Sequence, residues 1–399
     1  MTGSFIQKEI AHFDRLSKDA KRLILSYFLY GIGIPFTTTF MNAFIWRSSR
    51  DFASVALYNM GTWVTLPFVF FINGILLQYL SISVLYVLGL ILVALVPFIV
   101  IMLSIKGLTS LFFVGIMFGI GWGFYWSNRN LYSLRLTEDS NRNYFYSLNY
   151  TLDIFTNILV PFLIGWLIVF GNGYAYQVLA IFLFLIYVTA GIVALPLSMH
   201  PSEHVHGVIT KIKGRWNIVR LAAYGFGMQS GSNYVVPSLL VLFLLGNEGV
   251  LGTISSLGAL VSALAIYQIG KVSLVHHRVP IFASGVLMII ATALFFTVYP
   301  VGVGIIAYVV GTSVAANFTW SAYSPILAGV IDQYTPTKKQ NRFKYFVDHE
   351  FFLNLGRISG VGIFFILYAA SSQFSALHFT PVSIAVIQLF VFHLVRKLV

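Results

Sequence analysis

The sequence has no cysteine and little charge: of 399 residues, only 9% are Asp, Glu, Lys or Arg. Without cysteine there are no disulfides, thiolate nucleophiles or cysteine-held metals. So little charge excludes a water-facing surface, since a soluble domain carries roughly 25% charged residues. Acid is scarcer than base, with 12 Asp and Glu against 24 Lys and Arg. No P-loop, HExxH or GxSxG string occurs, so nothing points to ATP hydrolysis, a zinc hydrolase or a serine hydrolase. An enzyme is not expected, nor is a bound cofactor or metal. Residues 1–22 are polar and amphipathic, so no cleavable leader is expected.

What the sequence has is apolar length. Hydrophobic residues make up 58%, and the mean hydropathy is +0.86. A bilayer-spanning helix needs about 20 apolar residues. Runs of that length predict twelve spans near 22–46, 52–79, 82–104, 108–134, 143–170, 174–197, 217–245, 249–270, 279–299, 302–331, 343–370 and 375–396. The expected class is an all-α membrane protein whose solvent is the lipid bilayer. The organisation read from these runs is a segment 1–21, a six-helix bundle 22–198, a linker 199–216 and a second six-helix bundle 217–399. With the N-terminus inside, inner loops and tails hold 19 of the 24 basic residues and outer loops hold three, Arg47, Arg50 and Lys106. That bias predicts a multi-pass protein of the cell membrane with both termini cytoplasmic. It also accounts for the net charge of +12 without a nucleic-acid partner. The linker string HPSEHVH brings His200, His204 and His206 together. Such a tract suits a metal, although a solvated linker explains it as well.

The two halves resemble each other. YGIG at Tyr30 recurs as YGFG at Tyr224, and FYWS at Phe124 recurs as FTWS at Phe318, each 194 residues later. NRNYF at Asn141 is matched by NRFKYF at Asn341, 200 residues later. Three matches in order, in corresponding spans, indicate a six-plus-six parallel repeat and hence two pseudo-symmetric bundles.

Ionisable groups inside spans are functional candidates, because each costs at least ~2.5–3.5 kcal/mol near the bilayer centre. Asp153 lies 11 residues beyond Arg142, about 16 Å into the fifth span. Asn149 and Asn157 flank it at four-residue spacing and extend a polar stripe. In the eleventh span Arg357 shares a side with Glu350 and Asn354, and His349 is adjacent. The 200-residue offset sets Arg357 against Asn157 and His349 against Asn149, so the stripes are expected to face each other across a cavity. Arg129 lies about 9 Å from the inner end of the fourth span, where snorkelling also explains it. The substrate-binding candidates are Arg129, Arg357, Asn149, Asn157, Asn354, Tyr30, Trp126 and Trp320. The proton-coupling candidates are Asp153, Glu350 and His349. Softer candidates are Thr38, Asn42, Gln229, Ser232, Asn233 and Tyr234, where packing competes as an explanation.

The fifth span reads NILVPFLIG from Asn157 to Gly165. It resembles the Gly-Pro motif of exporters in the major facilitator superfamily, with Pro161 and Gly165 matching and Val160 and Ile164 departing. The superfamily's charged loop motif after the second span is absent: GILLQYLSIS from Gly74 has no Asp and no Arg. Within that superfamily, the stretch GWGFYWSNRNLYSLRLTEDSNRNYFYSLNY from Gly121 resembles exporters of opine-type metallophores such as staphylopine. The repeat and the lack of an ATPase motif predict a secondary transporter driven by an ion gradient, an expected monomer in which Asp153 or Glu350 exchanges a proton for substrate, an antiporter; the resemblance implies that it exports a small anionic or zwitterionic metabolite. Arginines would then clamp carboxylates, acids would meet amines, and tryptophans would stack on a ring. A multidrug exporter, with the 17% aromatic content as its binding surface, is the competing reading. A membrane sensor is a third, weakened by the shortness of the linker.

Overall fold

In the computed structural model the described residues are 13–14, 16–136, 139–171, 173–197, 214–272, 275–335 and 342–399. The His200, His204 and His206 tract and most of the expected linker lie outside them. Among the described residues, twelve helices are long and apolar enough to cross a membrane. They are α1 Lys18–Ser49, α2 Phe52–Leu76, α3 Ile82–Met102, α4 Leu108–Ser133, α5 Tyr144–Phe170, α6 Ala175–Ala194, α7 Arg215–Leu245, α8 Glu248–Ile269, α9 Arg278–Val298, α10 Gly302–Tyr334, α11 Lys344–Ala370 and α12 Gln373–Arg396. No strand occurs among the described residues. All twelve expected spans are present, with ends shifted by a few residues. The one shift of consequence is α7, which starts at Arg215 and takes Arg215 and Trp216 from the expected linker. Trp216 is held there because its indole N–H donates to Asp348 of α11 at 2.7 Å.

Local sequence sets the helix ends. Ser17 accepts from the Ala20 amide at 3.1 Å and starts α1. Asp51 accepts from the Ala53 amide at 3.0 Å and starts α2. Each side chain satisfies one amide that the first turn leaves without a partner. The interior of α1 is irregular at Phe36–Phe40, a π-helical turn that follows Pro35. Proline has no N–H to donate. Within the turn, the Thr37 and Thr38 hydroxyls donate to the carbonyls of Gly33 and Ile34. A second π-helical turn, Val241–Leu245, ends α7 beyond Pro237.

Packing repeats with the sequence. In the first half α1 packs on α5 and α6, α2 on α4, and α3 on α4 and α6. In the second, α7 packs on α11 and α12, α8 on α10, and α9 on α10 and α12. Between halves, α5 lies on α8 and α2 on α11. Each of these pairings has its counterpart six helices later, which is the pseudo-symmetry the repeated strings predict.

A tight seam within the second half is α7 on α11. A Cβ on Gly227 would lie 2.0 Å from the Leu353 carbonyl oxygen, and one on Gly356 would lie 2.0 Å from that of Tyr224. Gly231 and Gly360 meet the opposite backbones in the same way, four residues on. Small residues at this spacing let two backbones touch, where dispersion and weak polar contacts replace the hydrophobic drive that lipid does not supply. Gly356→Ala is therefore expected to lower the thermal stability of purified protein, by about 1–3 kcal/mol for an overpacked contact. Gly362→Ala, on the same helix with open space around it, should be neutral or slightly stabilising. Equal melting temperatures for the two variants would rule the seam out.

Candidate functional site

The principal cavity has a volume of about 520 Å³ and lies between the π-helical turn of α1 and helices α7, α8, α10 and α11. Its wall carries Thr38, Gln229, Ser230, Asn233, Ser255, Ser313, Asn317 and Trp320, and one charged residue, Arg357. On α7 the lining positions Phe226, Gln229, Ser230, Asn233 and Pro237 recur at helical spacing, so one face of the helix forms the wall.

Arg357 is held from several directions. The glycine seam presses its backbone against α7 at Gly231. Its Nε donates to Ser230 Oγ at 3.3 Å, and a terminal nitrogen donates to Asn354 Oδ1 at 2.9 Å. The guanidinium lies 4.5 Å over the Trp63 ring of α2, a contact between the halves. The Asn354 amide in turn donates to the Glu350 carboxylate at 3.5 Å and to its backbone carbonyl at 2.8 Å. Among the described residues no carboxylate lies within 4.0 Å of Arg357.

The first half differs. Arg129 pairs with Asp153 at 3.5 Å and lies over the rings of Tyr27 and Trp126 at 4.6 and 4.8 Å. Asn149 donates to the same Asp153 oxygen at 3.1 Å, and Asn157 donates to the Asp153 backbone carbonyl at 2.7 Å. The stripe read from the sequence is real, but its charges satisfy each other. Neither Arg129 nor Asp153 lines the principal cavity. The structure thus gathers Asn149, Asp153, Asn157, Arg129 and Trp126 into one cluster and Glu350, Asn354 and Arg357 into another. Trp320, 46% exposed, joins the second at the cavity wall.

Two candidates point elsewhere. Tyr30 is 2% exposed, accepts from the Trp122 indole at 2.6 Å and stacks on Tyr125 at 3.6 Å. Its face of α1 turns into the aromatic core of the first half. His349 is 1% exposed and stacks on Tyr323 at 5.8 Å, inside the second half. Its position in the chain, about 100° around the helix from Glu350, takes it off the polar stripe. Arg220, counted with the inner loops, is a third difference: it lies in α7 and forms a largely buried ion pair with Asp348. Sequence reasoning also missed Ser255, Ser313 and Asn317. Their signal is weak, since isolated hydroxyl and amide residues in apolar helices usually bond their own backbone, as Asn317 does at 2.9 Å.

The halves meet at the end of the bundle opposite the termini. Glu248 at the start of α8 receives Arg47 of α1 through two contacts of 2.9 and 3.2 Å, and Tyr176 at 3.2 Å. Asp51 receives the Tyr368 hydroxyl at 2.9 Å. Asn42 donates to the Tyr234 carbonyl at 2.7 Å. Between α5 and α8, Gly165 and Gly252 allow backbone contact with Glu248 and Pro161, and Ser256 accepts the Phe162 amide at 3.0 Å. Pro161 and Gly165, the residues of the exporter-like motif, therefore build this seam.

Residues 23–361 match the family model of the Major Facilitator Superfamily. YqgE of Bacillus subtilis (strain 168), itself uncharacterized, is 24% identical over 367 residues, spanning 90% of this chain and 84% of YqgE. Among solved structures, a mutant of the nucleoside transporter NupG superposes with TM-score 0.71 at 12% identity, covering 96% of this chain and 100% of that one. A bacterial homologue of the iron transporter ferroportin, in an inward-facing state, gives 0.69 at 13% identity, covering 96% and 98%. At these identities the two structures show the shared fold alone. The family match runs through eleven of the twelve helices, and it identifies a multi-pass membrane transporter and not an enzyme. The chain belongs to the Major Facilitator Superfamily.

Proposed function

We propose that this transporter exports a small anionic or zwitterionic metabolite across the cell membrane, as a monomer, with Arg357 as the carboxylate clamp and a proton returned in exchange. One observation carries the reading: a guanidinium without a carboxylate partner among the described residues stands in the wall of a cavity of about 520 Å³. A volume in that range suits a small molecule. The planar fork of arginine matches a carboxylate in two hydrogen bonds. The excess of basic residues at the end that carries the termini supports a cytoplasmic position for that end. The halves are then closed towards the outside, which is the loading state of an exporter.

Charge bookkeeping decides which coupling fits. A solute anion on Arg357 and an ionised Glu350 would share one cation through Asn354, so the anion alone favours a protonated Glu350. Solute and proton would then travel together. Antiport needs competition, and a solute amine supplies it by taking the place of a proton on Glu350. Glu350 lies seven residues before Arg357, about 10 Å along α11. A zwitterion whose carboxylate and amine are spaced to span that interval meets both groups. Opine-type metallophores such as staphylopine have this chemistry, and the resemblance around Gly121 supports them as the specific solute.

Staphylopine binding to purified protein tests the clamp. Arg357→Ala should weaken it by about 2 kcal/mol or more, roughly 30-fold, as for truncating one member of a buried charged pair. Unchanged binding would contradict the proposal. Coupling is tested by staphylopine flux in proteoliposomes under an imposed pH gradient. Glu350→Gln or Asp153→Asn, whichever residue carries the proton, should abolish the gradient's effect while exchange at equal pH persists. Gradient-driven flux in both variants would exclude proton coupling through these carboxylates.

A further inference from the structure

We propose that Gln229 of α7 is a specificity-determining residue of the cavity, and that it reads an amide-like edge, a donor and an acceptor side by side, on the solute that Arg357 binds. The inference rests on the anion reading of Arg357 and adds a second recognition element to it.

Gln229 is 3% exposed and lines the cavity, yet neither Nε2 nor Oε1 of its carboxamide has a partner among the described residues. Several of its neighbours in the wall are satisfied. Thr312 and Thr319 donate to carbonyls four residues earlier at 2.8 and 2.9 Å, and Ser230 accepts from Arg357. A buried polar group left without a partner is costly, whereas one matched on binding is not. The usual local remedy is closed to Gln229. The carbonyl four residues before it, that of Gly225, already accepts from the Gln388 side chain of α12 at 2.9 Å. Together with the helical amide bond, that contact occupies both lone pairs.

The chemistry of the missing partner follows. A carboxamide offers two donors and an acceptor, so its complement is another amide, a ureido group or a lactam-like ring edge. Gln229 precedes Ser230, which touches Arg357, so the carboxylate and the amide-like edge belong on one compact solute. Trp320, exposed in the same wall, offers a face to a planar group. The pattern to be read is an anion, a donor–acceptor edge and a flat apolar part; an N-acylated amino acid is its simplest carrier and serves as a probe, while a transported zwitterion would carry the same edge together with its amine.

Hippurate and phenylbutyrate form a matched probe pair. Both are monoanions with a phenyl ring, and the amide of hippurate is replaced by an ethylene link in phenylbutyrate. Dissociation constants of both are measured by calorimetry for wild-type protein and for Gln229→Met, Gln229→Leu and Arg357→Ala. The expected result is a loss of about tenfold in hippurate affinity, the worth of one good hydrogen bond, in both Gln229 variants with phenylbutyrate affinity unchanged. Arg357→Ala should weaken both probes. Equal weakening of the two probes by the Gln229 substitutions would mean a structural role and overturn the inference, as would unchanged hippurate binding in those variants or no binding of either probe to wild-type protein. If Arg357→Ala weakens neither probe while the Gln229 effect stands, the anion reading fails and the amide reading survives.

Discussion

A single guanidinium held in the wall of a cavity, with no carboxylate among the described residues in contact with it, is the constraint on which the rest of the molecule depends. A charge inside a bilayer-sized apolar structure costs at least ~2.5–3.5 kcal/mol, so Arg357 needs support. The support comes from packing and neutral polar groups: the α7–α11 glycine seam fixes its backbone, Ser230 and Asn354 take its N–H groups, and Trp63 lies beneath its face. None of these removes its charge, so its attraction for an anion is kept.

The two halves use the same architecture for different ends. In the first, Arg129 and Asp153 neutralise each other over an aromatic floor. In the second, the acid of the corresponding stripe is set back from the cation by an asparagine. Pseudo-symmetry of the backbone therefore does not extend to charge. The cavity is correspondingly one-sided: apart from the α1 turn, its lining comes from the second half. The far end is sealed by helix contacts at Gly165 and Gly252 and by the buried Glu248 cluster. Such contacts are made or broken as a unit, which suits two rigid bundles that rock.

Much of this was legible in the sequence. Twelve spans followed from apolar length, since lipid permits only helices or closed barrels. The repeat and the pseudo-symmetry followed from aromatic strings at constant offset. Arg357, Glu350 and Asn354 stood out because ionisable residues are rare in spans. Less legible was which neighbour each residue meets. Tyr30 and Trp126 are both aromatic residues within apolar helices, yet one turns into a core and the other lies under Arg129. Arg220 looked like a loop cation because its partner, Asp348, lies 128 residues away on a helix whose pairing with α7 depends on the glycine seam. The orphaned amide of Gln229 depends on Gln388, a contact between helices that no local pattern announces.

The most direct measurement is the position of a small marked anion. Crystals grown with para-bromobenzoate would locate the bromine by its anomalous signal and the carboxylate in the same map. The expected result is the carboxylate bonded to the Arg357 guanidinium with the ring towards Trp320. A carboxylate bound at Arg129 instead, or Arg357 turned onto a protein acid with the anion elsewhere, would contradict it.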